Sequence, residues 1–299
     1  MGSRFWWLYD VAAICLIVLT IYGNARRGFK RNFIIILGYL FCGLLASVIS
    51  VAIAQPVYDT VVRDSNVEAV SDVIHDYDAA KEITECLNSQ GYGIHADKAK
   101  VNAYLSPAYS TFDQDIYRYV NRLSFSTVAT PEQFREILEQ NFIDTFGGQL
   151  EKAMPAYVRD SMAENIQEND TMYMQIMLQL CSGKGNNVAA SEMVDLFVRE
   201  PTIRVVNMFL FVTIFCFLMS LVAVAAKNME AKMTIPVTPA ANHVLGGLLG
   251  IVEALMVLWI MAIFLKMIIM TGTSSNFFSE ETVQETHLLR YLYRIDFIL

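Results

Sequence analysis

Charge is scarce in this 299-residue chain: 17% of residues are charged and 55% are hydrophobic. A soluble domain carries about 25% charged and about 45–50% apolar residues. The deficit argues against a soluble enzyme, and the apolar excess argues against a disordered chain. A basic balance is also missing. The formal net charge is −8 and the pI is about 5.1, so no nucleic acid is expected as a partner. The four histidines do not cluster. His75 with Asp76 and Asp78 reads as a solvated helix face rather than a metal site. Gly183-Lys184-Gly185 lacks the P-loop frame, and no Ser/His/Asp or Cys/His set has a recognisable order. No catalytic residue, metal or cofactor is therefore expected, and the chain reads as a non-enzyme. Cysteine is sparse, and Cys15, Cys42 and Cys216 fall in apolar runs. Cys86 and Cys181 fall outside them and form a candidate disulfide, whose closure spacing alone does not decide.

What the chain has instead is long apolar runs. Four of them reach the roughly 17–25 residues that cross a bilayer core. They run over Phe5–Tyr22, Phe33–Ala54, Val205–Ala226 and Leu245–Met270. Apolar residues occupy every face, unlike an amphipathic core helix. The first run reads as a retained helix, because Asp10 interrupts it and no small-x-small site precedes Arg26 and Arg27. Basic residues in short loops set orientation. Arg26, Arg27, Lys30 and Arg31 crowd the first connector, and Lys227 and Lys232 lie in the one after the third run. Both connectors are expected in the cytoplasm, which places both termini and the long middle segment outside.

That segment carries the acidity. Between Gln55 and Glu200 there are 23 Asp and Glu against 11 Lys and Arg, a balance of −12, and the rest of the chain is at +4. Its apolar residues recur at helical spacing: Phe112, Ile116, Tyr119, Val120 and Leu123; Phe134, Ile137, Leu138 and Phe142; Leu150, Met154, Tyr157 and Val158. Thr130-Pro131-Glu132-Gln133 predicts a capped helix start. Asn169 or Asp170 opens a further helix through Leu180. A last helix over about Ser191–Arg199 meets Pro201, where a kink is expected. The expected fold is an all-α membrane protein. Its four transmembrane helices form two hairpins (residues 1–54 and 204–270) around an α-helical extracytoplasmic domain (55–203). An outer tail (271–299) follows, in which Arg290 and Arg294 predict an amphipathic helix on the outer leaflet or docked on the insert.

Asp10, Gly23, Arg27-Gly28-Phe29, Arg31 and Gly38 stand in order along the first hairpin, and Asn242, Leu245, Gly246 and Gly250 along the second. This arrangement resembles the colicin V production protein family of bacterial inner-membrane proteins. The resemblance covers about a third of the chain, over Leu8–Ala54 and Phe209–Ile269. Asn242 stands where that family often has Asp, and Glu253-Ala254 where it has a basic residue and Gly; its compact members lack the insert. The resemblance implies a multi-pass protein of the bacterial inner membrane. The implied role is bacteriocin (toxin) production or export, or cell-envelope maintenance, as a non-catalytic scaffold with envelope or secretion proteins as partners.

Several residues stand out against this background. Glu253, eight residues into the fourth run, is expected near the midplane, where an ionisable group is a functional candidate by default. It supports either an interhelical polar lock or the alternative function, an oligomeric small channel or transporter. Asp10 lies about a turn and a half from the outer edge. It is expected to pair with Arg4 or Arg204, or to cap a helix. Arg27, Gly28, Phe29 and Arg31 form a tight inner turn beside the lipid. Gly246, Gly250 and Ala254 fall four apart and predict close helix packing, inside the bundle or at a homo-oligomer seam; Gly43 and Ser47 form a weaker face of this kind.

Overall fold

The structure is a computed structural model that describes residues 5–106, 111–124, 128–169, 171–181, 183, 185–230, 232, 238–272 and 278–295. Among these, every regular element is helical. The chain opens with α1 (Trp6–Arg27) and α2 (Phe29–Val57), followed by a π-helical turn at Tyr58–Val62. Next come α3 (Arg63–Asp76), α4 (Ala79–Ser89), α5 (Lys98–Tyr104), α6 (Phe112–Leu123), α7 (Pro131–Ala153), α8 (Ala156–Glu168), α9 (Met172–Leu180) and α10 (Asn186–Met193). A second π-helical turn, Val194–Val198, precedes α11 (Arg199–Glu230), α12 (Pro239–Met270), α13 (Glu280–Gln284) and α14 (Leu289–Tyr293). The chain divides into two compact units, Met1–Tyr58 with Ile203–Leu299, and Asp59–Thr202.

The first unit holds the four helical stretches long and apolar enough to cross a membrane, in α1, α2, α11 and α12. Helices satisfy every internal backbone group within one segment, which a lipid environment demands. Two apolar cores bind them together. One joins Cys42 and Ala46 of α2, Met208, Phe211 and Phe215 of α11, and Ile263 of α12. The other joins Tyr9 and Ala13 of α1, Leu258 and Leu265 of α12, and Leu289 of α14. Outward positions such as Phe41 and Leu44 stay exposed, as lipid-facing side chains do. The tail departs from expectation. The described residues around Arg290 form the short helix α14, preceded by α13, and its Leu289 is fully buried against α1 and α12 rather than lying on the leaflet or the insert.

The second unit packs α3 to α10 around rings. Phe112, Phe134, Phe146 and Tyr173 are fully buried. Phe142 stacks on Phe146 at 4.9 Å and meets the edge of Tyr173 at 5.6 Å. Burying rings of this size is the main apolar contribution available to short helices. Burial pushes the phenol of Tyr77 upward and that of Tyr173 well up. The Thr130 start forms as a full capping box: Gln133 N donates to Thr130 Oγ1 at 3.3 Å, and Gln133 Oε1 accepts from Thr130 N at 3.2 Å. The periodic stretch Leu150–Val158 does not stay one helix. Pro155 drives Met154 into an extended conformation (φ −135°, ψ 162°), so α7 ends there and α8 starts afresh. The helix expected from Asn169 or Asp170 starts at Met172, with Asn169 Oδ1 accepting from Thr171 N at 3.0 Å; Asp170 and Lys184 lie outside the described residues. Pro201 falls in the first turn of α11. It cannot donate to the carbonyl of Phe197, which accepts instead from Ser161 Oγ at 3.2 Å.

Candidate functional site: a polar seam between three membrane helices

The basic hairpin turn is one residue long. Gly28 adopts φ +87°, a region that glycine enters without steric cost, and it ends α1 and begins α2 at once. The turn is clamped by α12. Phe29 N donates to Asn242 Oδ1 at 2.8 Å, and a Cβ on Gly28 would fall 2.4 Å from Asn242 Nδ2. The neighbouring His243 Nδ1 lies 2.7 Å from the Ala25 carbonyl. Arg26 and Arg27 are exposed and Arg31 is half-buried, so the motif is a backbone clasp flanked by cations.

The glycines of α12 let α1 approach its backbone. A Cβ on Gly246 would lie 2.7 Å from the Asn24 carbonyl oxygen and 3.2 Å from Gly28 Cα. On Gly250 it would lie 2.9 Å from Asn24 Cβ and 3.0 Å from Ile21 Cα. Ala254, one turn on, is buried in the same contact region. The small-residue face is therefore occupied by α1 of the same chain and is not a free surface for a second copy. Gly43 of α2 has nothing within 4 Å of its Cβ position.

Close approach makes a polar lock. Asn24 Nδ2 donates to Glu253 Oε2 at 2.6 Å, joining α1 to α12. Asn32 Nδ2 on α2 donates to the Asn24 carbonyl at 2.8 Å and to the Gly246 carbonyl at 3.3 Å. Asn24, Asn32 and Glu253 are 1%, 0% and 8% exposed. Glu253 lies near the middle of the 32-residue α12, and its side chain reaches a residue one turn before the end of α1. Helical side chains lean toward the N-terminus of their helix, and α12 starts beside that turn.

Asp10 stands at the other end of α1. It is buried, and its carboxylate caps the tail: His287 N donates to Oδ1 and Oδ2 at 3.1 and 3.0 Å, and Leu288 N to Oδ1 at 3.1 Å. The edge of His287 meets Trp6 at 5.4 Å between ring centroids. Asp10 thus meets main-chain N–H groups just ahead of α14; Arg4 lies outside the described residues. This bond explains why the tail docks on α1 and α12 rather than lying free.

In the second unit Cys86 and Cys181 are free thiols, not a bridge. Burial raises both, Cys181 to about 11. Among the described residues no group of His, Cys, Asp or Glu is arranged to hold a metal ion. Asn24 and Asn32, the residues that complete the seam, went unread in the sequence. Their signal was weak: amides near the ends of apolar runs, where they serve equally well facing water.

Four membrane-length helices, clasped by glycines and polar contacts, define a multi-pass helical membrane protein. Residues 186–296 match the family model described as Colicin V production protein. The match covers α10 to α14, so the family resemblance is shown over the second hairpin and the docked tail. No curated protein and no solved structure matches the chain.

Proposed function

We propose that this protein acts in bacteriocin production or export, or in envelope maintenance, as a non-catalytic scaffold of the bacterial inner membrane. The basic hairpin turns face the cytoplasm in this reading, and the acidic helical unit and both termini lie outside. One observation carries it. Asp10 and Glu253, the acidic residues inside the apolar runs, both join chain segments rather than line an open route. Buried polar groups are costly in lipid, and here they are used to hold the membrane helices and the tail together.

The role is tested by photo-cross-linking in cells from exposed positions of the acidic unit, Val61 and Val188. Capture of the same envelope or secretion components from both positions supports the scaffold. Repeated failure to capture any overturns it. Flux through proteoliposomes that is lost in Glu253→Gln would favour the channel reading instead. Orientation is tested by single-cysteine labelling: position 89 is expected to react from outside and position 30 only from the cytoplasm.

A further inference from the structure

The chain enters the second unit at Asp59 and leaves it at Thr202, and a π-helical turn stands near each passage, at Tyr58–Val62 and Val194–Val198. The same short pattern recurs at both turns, an Asp followed four residues later by an Arg: Asp59 and Arg63, then Asp195 and Arg199. The four side chains pair crosswise within the unit. Arg63 Nη2 meets Asp195 Oδ2 at 3.1 Å, and Arg199 Nη2 meets Asp59 Oδ1 at 3.5 Å. Arg63 Nη2 also donates to Ser191 Oγ at 2.8 Å. The first Asp finds the second Arg and the first Arg finds the second Asp, as antiparallel neighbours require. Ser71 Oγ donates to Asn187 Oδ1 at 2.8 Å and continues that register along α3 and α10. The small, buried Ala189 and Ala190 of α10 leave room for the approach.

We propose that the crossed pairs and their π-turns form an ionic clasp that ties the two ends of the acidic unit together and opens as charge is screened. The π-turn supplies the movement. It contains one residue more than an α-turn, and taking that residue up turns the flanking helices by about 100° against each other. The pairs supply the sensitivity. Their side chains are 30% and 49% exposed in one pair and 37% and 40% in the other, so salt reaches both. An exposed pair shifts an equilibrium by roughly fivefold at most, enough to bias two close states and too little to freeze one. The two turns are braced differently. In the second, the Phe197 carbonyl accepts from Ser161 Oγ at 3.2 Å and the Val198 carbonyl from Thr202 Oγ1 at 2.7 Å. In the first, Val61 is 71% exposed. The first turn is therefore the one that yields. The clasp needs neither a partner nor a transported ion, so it stands independently of the scaffold role.

The test is hydrogen exchange, read by mass spectrometry on the full-length protein in detergent. It compares about 0.01 M with about 1 M potassium chloride, between which the screening length falls from about 30 Å to about 3 Å. Amides of residues 59–63 are expected to exchange about two- to fivefold faster in high salt, and those of 194–199 to quicken less. Amides of 133–138, at the capped start of α7, should exchange alike in both and serve as the internal reference. The double variant Arg63→Gln with Arg199→Gln is expected to exchange fast at either salt and to lose the salt response. Asp195→Asn should add nothing to Arg63→Gln, since the two remove one pair. Thermal unfolding of each variant shows whether it is folded. If the double variant does not fold, Arg199→Gln alone is expected to lose part of the response. Exchange at 59–63 that salt leaves unchanged in the wild type overturns the proposal. So does a salt response that the folded arginine variants keep in full. Either result leaves the cross-linking test of the scaffold untouched.

Discussion

Gly246→Ala is the most exacting test of the seam. The added methyl would stand 2.7 Å from the Asn24 carbonyl oxygen and 3.2 Å from two backbone atoms of Gly28. These neighbours are main chain and cannot rotate away, so α1 and α12 must part. Overpacking of this kind costs about 1–3 kcal/mol. A Gly-to-Ala change inside a helix also gains about 1 kcal/mol of propensity, which masks part of the cost. Gly43→Ala on α2 isolates that gain, because nothing lies within 4 Å of its Cβ position. The quantity to measure is the stability difference between the two variants, by denaturant titration of the purified protein in mild detergent. Gly246→Ala is expected to be less stable than Gly43→Ala by about 1–3 kcal/mol, roughly a 5- to 150-fold shift in the unfolding equilibrium. Parting the helices also lengthens the 3.3 Å bond from Asn32 to the Gly246 carbonyl, which places the cost toward the upper end. A difference below about 0.5 kcal/mol, the scatter of a neutral surface change, would refute the close approach of α1 and α12.

Gly28→Ala should destabilise through two separate causes, the positive φ and the clash with Asn242; adding Asn242→Ala should restore only part of the loss, and full rescue would show that the backbone conformation is not strained. Asp10→Ala removes the acceptor of two tail N–H groups, and a hydrogen bond to a charged group contributes about 1.5–3 kcal/mol net of water. A cysteine placed at the buried position 289 should then react with maleimide much faster than in the Asp10 background, and equal rates would sink the capping role. Cys181, with its thiol raised to about 11, should alkylate slowly near neutral pH and faster as pH rises toward that value, because the thiolate is the nucleophile. Mass spectrometry of the denatured, unreduced chain should find Cys86 and Cys181 both alkylated; a bridged pair would contradict their free state.

Much of the frame is legible without coordinates. Apolar runs of membrane length are scarce in soluble chains, so composition alone separates the four spans from the acidic insert. The Thr130–Gln133 box and the break at Pro155 are local chemistry, though the latter was hidden by an unbroken apolar period through Leu150, Met154 and Val158. Glu253 and Asp10 were visible as candidates because charge is rare in such runs. Gly246 and Gly250 were visible because their spacing puts them on one helical face. Their partners were not visible. An asparagine near the end of a span fits equally well facing water, lipid headgroups or another helix, and nothing local chooses between them.

The sequence by itself determined which segments are helical, which cross a bilayer and where the acidity resides, because these follow from hydropathy, period and counted charge along the chain. The tertiary structure decided what each unusual residue does. Glu253 and Asn24 are 229 positions apart and meet at 2.6 Å because two glycines remove the side chains that would hold α1 and α12 apart. Asp10 finds the tail 277 residues later for a similar reason: the tail's backbone N–H groups need an acceptor, and the fold places a buried carboxylate beside them. Contacts at such separations depend on how helices pack, which no local pattern encodes.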